Sequence, residues 1–97
     1  MHVKMCGMKT LAAARAAEET GADYIGFIFA EKSRRHVMPG TAREIARELH
    51  RVKKVGVFVD APMKEVNRIA AFVGLDYVQL HGYESAEMAR MAERPVI

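Results

Sequence analysis

The chain has 97 residues, of which 51% are hydrophobic and 28% charged, the composition of an ordinary globular domain with one core. No apolar run approaches the ~20 residues of a membrane-spanning helix, and no signal peptide precedes the first strand-like segment, so we expect a cytoplasmic protein without a membrane partner. The net charge of +3 suits a small anionic substrate. The aromatic residues do not interleave with basic ones, so no nucleic-acid partner is expected. A single cysteine, Cys6, excludes an internal disulfide and a multi-cysteine zinc site.

Apolar runs typical of buried strands alternate with patterns typical of helices. The predicted strands are residues 2–7, 23–29, 54–59 and 76–80, and a fifth strand begins at 95–97. The predicted helices fill the intervals: 11–20, a helix that begins at Thr41, a helix that follows Pro62, and one that Ser85 caps and that ends before Pro95. Residues 30–40 form a charged loop.

The ends of these helices carry recognisable signals. Thr10 can cap the first helix, and Gly21 ends it. Residues 41–44, Thr-Ala-Arg-Glu, have the pattern of a capping box with Thr41 as the N-cap. Pro62 suits the first turn of the third helix, and Gly74 ends that helix.

The order of the elements predicts a parallel sheet. A helix separates each pair of strands, so the strands run parallel with right-handed crossovers. The pattern G-x-D-Y-(I/V) occurs at 21–25 and again at 74–78, each time where a helix ends and a buried strand begins, so we interpret it as a structural repeat. Four βα units fit either a flavodoxin-like open sheet or part of a barrel. Length alone favours the open sheet, because a complete barrel needs ~250 residues.

Ligands of parallel α/β proteins bind at the carboxyl ends of the strands. The polar residues at these ends are Cys6, Lys32, Arg34, Arg35, Asp60, Gln79 and His81. Because side chains alternate along a strand, Lys4 shares a face with Cys6, and Gln79 shares one with His81. If the residues between them face the helices, these polar groups face the interior of a barrel.

Each candidate also has a structural interpretation. Cys6 is either a small buried hydrophobic residue or a general base or nucleophile near a helix N-terminus. The basic loop that contains Arg35 is either solvated or an anion site, since guanidinium groups pair with carboxylates and phosphates. His81 is either held in a structural hydrogen bond or acts as a ligand or acid–base group, and Gln79 is a buried polar group paired with its neighbours.

Five segments, in order along the whole chain, together resemble the phosphoribosylanthranilate isomerase family. They are Val3-Lys4-Met5-Cys6-Gly7-Met8, Gly21-Ala22-Asp23 leading into Gly26-Phe27-Ile28-Phe29, Lys32-Ser33-Arg34-Arg35, Val55-Gly56-Val57-Phe58-Val59 and Tyr77-Val78-Gln79-Leu80-His81-Gly82. The chain departs from the family pattern at Lys9, where a small hydroxyl residue is usual, at Ala30-Glu31 and at His36.

This resemblance implies a fold and an activity. The fold is the first half of a TIM (β/α)₈ barrel, with residues 1–97 as a single partial domain of (βα)₄ units plus the start of strand five. The activity is an Amadori rearrangement of N-(5'-phosphoribosyl)anthranilate in tryptophan biosynthesis, without metal or organic cofactor. The resemblance assigns the general base to Cys6 and the grip on the anthranilate carboxylate to Arg35, with Gln79 and His81 lining the site. The general acid, an aspartate, and the phosphate site belong to later strands, outside this chain.

A half-barrel leaves the backbone N–H and C=O groups of its edge strands unpaired, and such edges form hydrogen bonds with another strand or chain. We therefore expect the chain to self-associate or to require the remaining half-barrel, in the same or a second polypeptide, and to be inactive alone. The alternative is a non-catalytic half-barrel fragment or scaffold that self-associates.

Overall fold

The computed structural model describes residues 4–30, 32–81 and 90–96. Within these ranges four strands alternate with three helices. Their bounds are β1 Lys4–Cys6, α1 Leu11–Glu19, β2 Tyr24–Ile28, α2 Pro39–Arg47, β3 Lys53–Val59, α3 Met63–Val73 and β4 Tyr77–His81. Of the helix predicted to begin at Ser85, most lies outside the described residues, and Arg90 and Met91 are helical.

The four strands form one parallel sheet in the order β1-β2-β3-β4. This sequential order is not the flavodoxin-like one, in which the second strand lies on the far side of the first. Val96 forms a parallel bridge with Val78, and the N–H of Val78 donates to the carbonyl of Pro95 at 2.9 Å. The segment that we predicted to open a fifth strand thus begins beside β4.

The structure confirms the predicted ends of α1 and α3. The hydroxyl of Thr10 accepts the N–H of Ala13 at 3.2 Å, as an N-cap does. Gly21 and Gly74 adopt φ angles of +94° and +83°, which favour glycine over other residues. Pro62 is the N-cap of α3, one residue before the first turn in which we expected it.

The predicted capping box is wrong. Helix α2 begins at Pro39, two residues before Thr41, and its N-cap is Met38, whose carbonyl accepts the N–H of Ala42 at 3.0 Å. Thr41 therefore lies inside the first turn and cannot cap it. The physical reason is Pro39, whose fixed φ suits the first helical position and whose missing N–H costs nothing there.

One face of the sheet packs on the helices. Ile25, Phe27, Phe58 and Val78, which alternate with the residues of the other face, are at most 2% exposed. The apolar residues on one side of α2 and α3 are buried against them: Ala42, Ile45 and Ala46 from α2, Leu49 just beyond its end, and Val66, Ile69, Ala70 and Val73 from α3. Each buried Val, Leu, Ile or Phe side chain of this layer contributes about 1.5–3 kcal/mol, so the layer is a major source of stability.

The G-x-D-Y repeat holds neighbouring strands together at their amino ends. The carbonyl of Asp23 accepts the N–H of Lys53 at 3.0 Å. In the second copy, the carboxylate of Asp76 accepts the N–H of Lys54 at 2.8 Å, and the N–H of Asp76 donates to the carbonyl of Lys54 at 2.8 Å. These contacts agree with a structural role for the repeat.

Glu18, near the end of α1, organises the turn that precedes β3. One of its carboxylate oxygens accepts the backbone N–H groups of His50, Arg51 and Val52 at 3.0, 2.9 and 3.3 Å. The hydrogen bond from the Arg51 N–H, with those from the other two, lowers the pKa of Glu18 below its usual value. The charged groups at this end of the sheet are thus used to hold the fold together.

Candidate active site

The register of the sheet places the predicted site positions at one end. Cys6 is the last residue of β1 and pairs with Gly26, which pairs in turn with Val55, and Val55 with Tyr77. Two residues further along the strands, Val57 pairs with Gln79. Since the strands are parallel, the positions after this row all belong to the carboxyl end of the sheet, where α/β proteins bind their ligands.

Gln79 and His81 lie on β4, three strands away from Cys6 on β1. Gln79 pairs in register with Val57 and is half-buried, and the His81 position pairs with Val59. Neighbouring strands are ~4.8 Å apart, so β2 and β3 separate these positions from β1 by three such spacings. They share the end of the sheet with Cys6 but belong to the opposite edge.

The loop after β2 turns back sharply, and this brings Arg35 towards β1. The N–H of Ser33 donates to the carbonyl of Ala30 at 3.0 Å, and the N–H of His36 donates to the carbonyl of Ser33 at 3.2 Å. His36 then forms a parallel bridge with Ile28, which closes the loop against its own strand. Arg35 lies at the tip of this turn and is exposed.

The side chain of Arg35 passes over Gly7, the residue that follows Cys6. A Cβ atom added to Gly7 would lie 2.5 Å from Cδ, 3.2 Å from Cβ and 3.3 Å from Cγ of Arg35. Gly7 itself has a φ of +83°, and its N–H donates to the carbonyl of Gly26 at 3.0 Å. The predicted base position and the predicted carboxylate-binding arginine therefore lie side by side at the same end of the sheet.

A second contact joins the same two loops. The ammonium group of Lys9, in the loop after β1, donates to the carbonyl of Arg34 at 3.2 Å. Sequence reasoning noted Lys9 only as a departure from the family pattern and did not assign it a contact. Nothing local in the sequence signals a hydrogen bond between residues that are 25 positions apart.

Beside these loops lies a pocket of about 650 Å³ at the carboxyl ends of β2 and β3. Phe29 and Phe58 form its aromatic floor, with ring centroids 5.2 Å apart and nearly parallel planes. Lys32 and Asp60 stand at its polar rim, and Asp60 has a φ of +51°, which is unusual outside glycine. Phe58 belongs to the helix-covered face, so the pocket lies next to the Cys6–Arg35 region and not within it.

Three further observations concern the described residues. In the part of the chain that the structure describes, no three His, Cys, Asp or Glu side chains come close enough to hold a metal ion. Within those same residues, no ion pair joins Arg35 to a carboxylate. No helix among the described residues is long and apolar enough to cross a bilayer.

The fold and the site define a class of protein: a parallel βα protein in which the basic loop after β2 meets the end of the first strand. The sequence model of the N-(5'phosphoribosyl)anthranilate (PRA) isomerase family matches residues 3–97. The isomerase of Geobacter sp. (strain M21) is 50% identical over 96 residues, which cover 98% of this chain and 47% of that protein. The chain belongs to the phosphoribosylanthranilate isomerase family, as its motifs predicted.

Solved structures agree with this assignment. The crystal structure of the phosphoribosylanthranilate isomerase of Thermus thermophilus superposes with a TM-score of 0.95 at 42% identity, covering 99% of this chain and 50% of that one. A phosphoribosylanthranilate isomerase in complex with reduced 1-(o-carboxyphenylamino)-1-deoxyribulose 5-phosphate superposes with a TM-score of 0.91 at 43% identity, covering 93% of this chain and 47% of that one. The chain thus spans about half the length of the relatives that it matches.

Proposed function

We propose that this chain supplies the base-carrying half of a phosphoribosylanthranilate isomerase, with Cys6 as the general base and Arg35 as the group that binds the anthranilate carboxylate. The observation that carries the proposal is the contact between the stem of Arg35 and Gly7, because it puts the two assigned residues beside each other at the carboxyl end of the sheet. Gln79 and His81 line the same site from β4.

The proposed reaction requires Cys6 and Arg35 to be held at a fixed distance and orientation to each other. A general acid opens the ribose ring of the substrate by protonating the ring oxygen, which leaves an iminium group on the sugar. The iminium acidifies the neighbouring carbon, and the base at Cys6 takes the proton from that carbon. A guanidinium that binds the carboxylate bidentately orients the substrate, so that the carbon to be deprotonated lies within reach of the base.

The general acid and the phosphate site are assigned to the remaining βα units, which form the second half of a (β/α)₈ barrel. The sequential strand order and the coverage of about half of each solved isomerase support this arrangement. On the face of β3 opposite the helices, Val55 and Val57 are buried, and Val59, at the carboxyl end, is 45% exposed. A second half-barrel, from the same or a second polypeptide or from another copy of this chain, would cover that face.

A chimera tests the function. In it this chain replaces the matching half of the Geobacter isomerase, and we call the product the completed barrel. It should convert N-(5'-phosphoribosyl)anthranilate, and Cys6→Ser should lower kcat by about 10²-fold or more, the usual contribution of a general base. Lys53→Met, at the opposite end of the sheet, is the control and should leave kcat unchanged. A Cys6→Ser variant that retains the parent kcat contradicts the assignment of the base.

The lone chain tests the assembly. It should show no measurable turnover, and in sedimentation it should run as an oligomer, or combine with the second half of the Geobacter enzyme and recover activity. A monomer that unfolds cooperatively and does not recover activity with that half would contradict the proposed half-barrel.

A further inference from the structure

The loops after β1 and β2 hold Arg35 from three sides. Gly7 receives its aliphatic stem. The hydroxyl of Ser33 accepts the N–H of Arg35 at 3.1 Å. The ammonium group of Lys9 donates to the carbonyl of Arg34 at 3.2 Å, on the peptide that leads into Arg35.

The contact has a geometric consequence. The Arg34 carbonyl and the Arg35 N–H belong to the same peptide group, so Lys9 and Ser33 bind its two ends. With both ends held, the peptide plane has little freedom to rotate, and the direction in which the Arg35 side chain leaves the backbone is set. Bidentate recognition of a carboxylate needs a guanidinium placed to within ~0.5 Å, so a loose peptide at this point would weaken binding.

We propose that Lys9 is a positioning residue for substrate binding: it fixes the Arg34–Arg35 peptide, and through it the guanidinium that binds the carboxylate of the substrate. This inference rests on the proposed function. Lys9 acts on the substrate through Arg35, because its ammonium group is engaged by the Arg34 carbonyl. Lys9 therefore contributes to substrate binding and takes no part in the proton transfer, which Cys6 carries out.

A double-mutant cycle in the completed barrel tests the role. Lys9→Met should raise KM about fivefold, the size expected for the loss of one exposed charge-assisted hydrogen bond, and leave kcat within twofold. Lys9→Arg, which keeps a donor, should stay near the parent KM. In an Arg35→Met background, Lys9→Met should have no further effect on KM, because the group that it positions is gone. Lys53→Met is the matched control.

The result that overturns the proposal is an additive cycle, in which Lys9→Met raises KM by the same factor with and without Arg35. Such a result would mean that Lys9 acts independently of Arg35. Binding of reduced 1-(o-carboxyphenylamino)-1-deoxyribulose 5-phosphate, measured by calorimetry, should reproduce the pattern found for KM. An unchanged KM and unchanged affinity in Lys9→Met also overturn it.

A measurement that does not depend on turnover separates this proposal from the proposed function. Amide hydrogen exchange at Arg35 should accelerate in Lys9→Met and remain at the parent rate in Lys53→Met, because only the first releases the peptide. If the completed barrel binds and converts nothing, the proposed function fails, and the exchange rate alone decides whether Lys9 holds the loop. Equal exchange rates of the Arg35 amide in Lys9→Met and Lys53→Met would contradict the proposed role of Lys9.

Discussion

The contact between Gly7 and Arg35 makes a sharp prediction for the substitution Gly7→Ala. The new methyl group would lie 2.5 Å from Cδ of Arg35, whereas carbon atoms in contact lie ~3.5–4.0 Å apart, so Cδ must move by about 1 Å or more. Cδ carries the guanidinium, and a displacement of this size costs up to about 10²-fold in catalytic efficiency when it affects a group that orients the substrate. We expect kcat/KM of the completed barrel to fall by about 10- to 100-fold, mainly through KM.

The substitution also strains the backbone, and Gly74 provides a control for that effect. Both glycines have a φ of +83°, and an alanine pays about 1–2 kcal/mol in this region. A Cβ atom at Gly74 would meet nothing within 4 Å. Gly74→Ala should therefore lose about as much unfolding free energy as Gly7→Ala and keep kcat/KM within about twofold of the parent.

Steady-state kinetics and urea unfolding of the three proteins separate the two effects. If Gly7→Ala and Gly74→Ala reduce kcat/KM equally, the clash with Arg35 has no role and only strain remains. If Gly7→Ala lowers kcat and leaves KM unchanged, the methyl group has disturbed the neighbouring base position, and the reasoning about Arg35 is refuted.

Two predictions concern stability, measured by urea unfolding of the completed barrel. Glu18→Gln should cost about 1 kcal/mol at neutral pH, because the carboxylate binds three backbone N–H groups. The pKa of Glu18 is lowered in the folded state, so this stabilisation is complete above the unfolded pKa and is lost as the pH falls through the folded one. A difference that does not change with pH would contradict this origin. Gly56→Ala should cost about 1–3 kcal/mol by overpacking, since its methyl group would overlap Leu75 Cδ1 and lie 3.0 Å from Phe58 Cε2. The further change Leu75→Ala should recover part of that cost, and a neutral Gly56→Ala would be inconsistent with the packing described.

The elements that the sequence predicted correctly are those encoded by local patterns. The apolar stripe of α3 and the runs that became β2 and β3 follow from side-chain periodicity, which is a property of neighbouring residues. The start of α2 was mistaken because two local signals competed there. The Thr41–Glu44 pattern is typical of a helix cap, but Pro39, two residues earlier, is a favourable first helical residue. The helix begins at Pro39.

The contacts that shape the candidate site could not be read from patterns. The motifs in the sequence place Cys6 and Arg35 at strand ends, but the passage of the arginine stem over Gly7 depends on how the loop after β2 folds back. The Lys9–Arg34 hydrogen bond likewise joins two loops across the sheet edge. Strand order is non-local for the same reason: local patterns fit both the flavodoxin-like order and the sequential order, and the sheet has the sequential order β1-β2-β3-β4.

The sequential strand order divides the proposed site into two parts of different kind. Gly7, Lys9 and Arg35 meet across the neighbouring strands β1 and β2, so their arrangement depends only on contacts within this chain. Gln79 belongs to β4, which β3 separates from β2, and in the proposed barrel it would face the substrate together with Arg35 only once the sheet closes. The contacts of Gly7 and Lys9 that hold Arg35 should therefore form before the remaining βα units join. The contribution of Gln79 to the site should form only with those units. It follows that exchange protection at the Arg35 amide should be similar in the lone chain and in the completed barrel, while affinity for the substrate analogue should appear only in the latter.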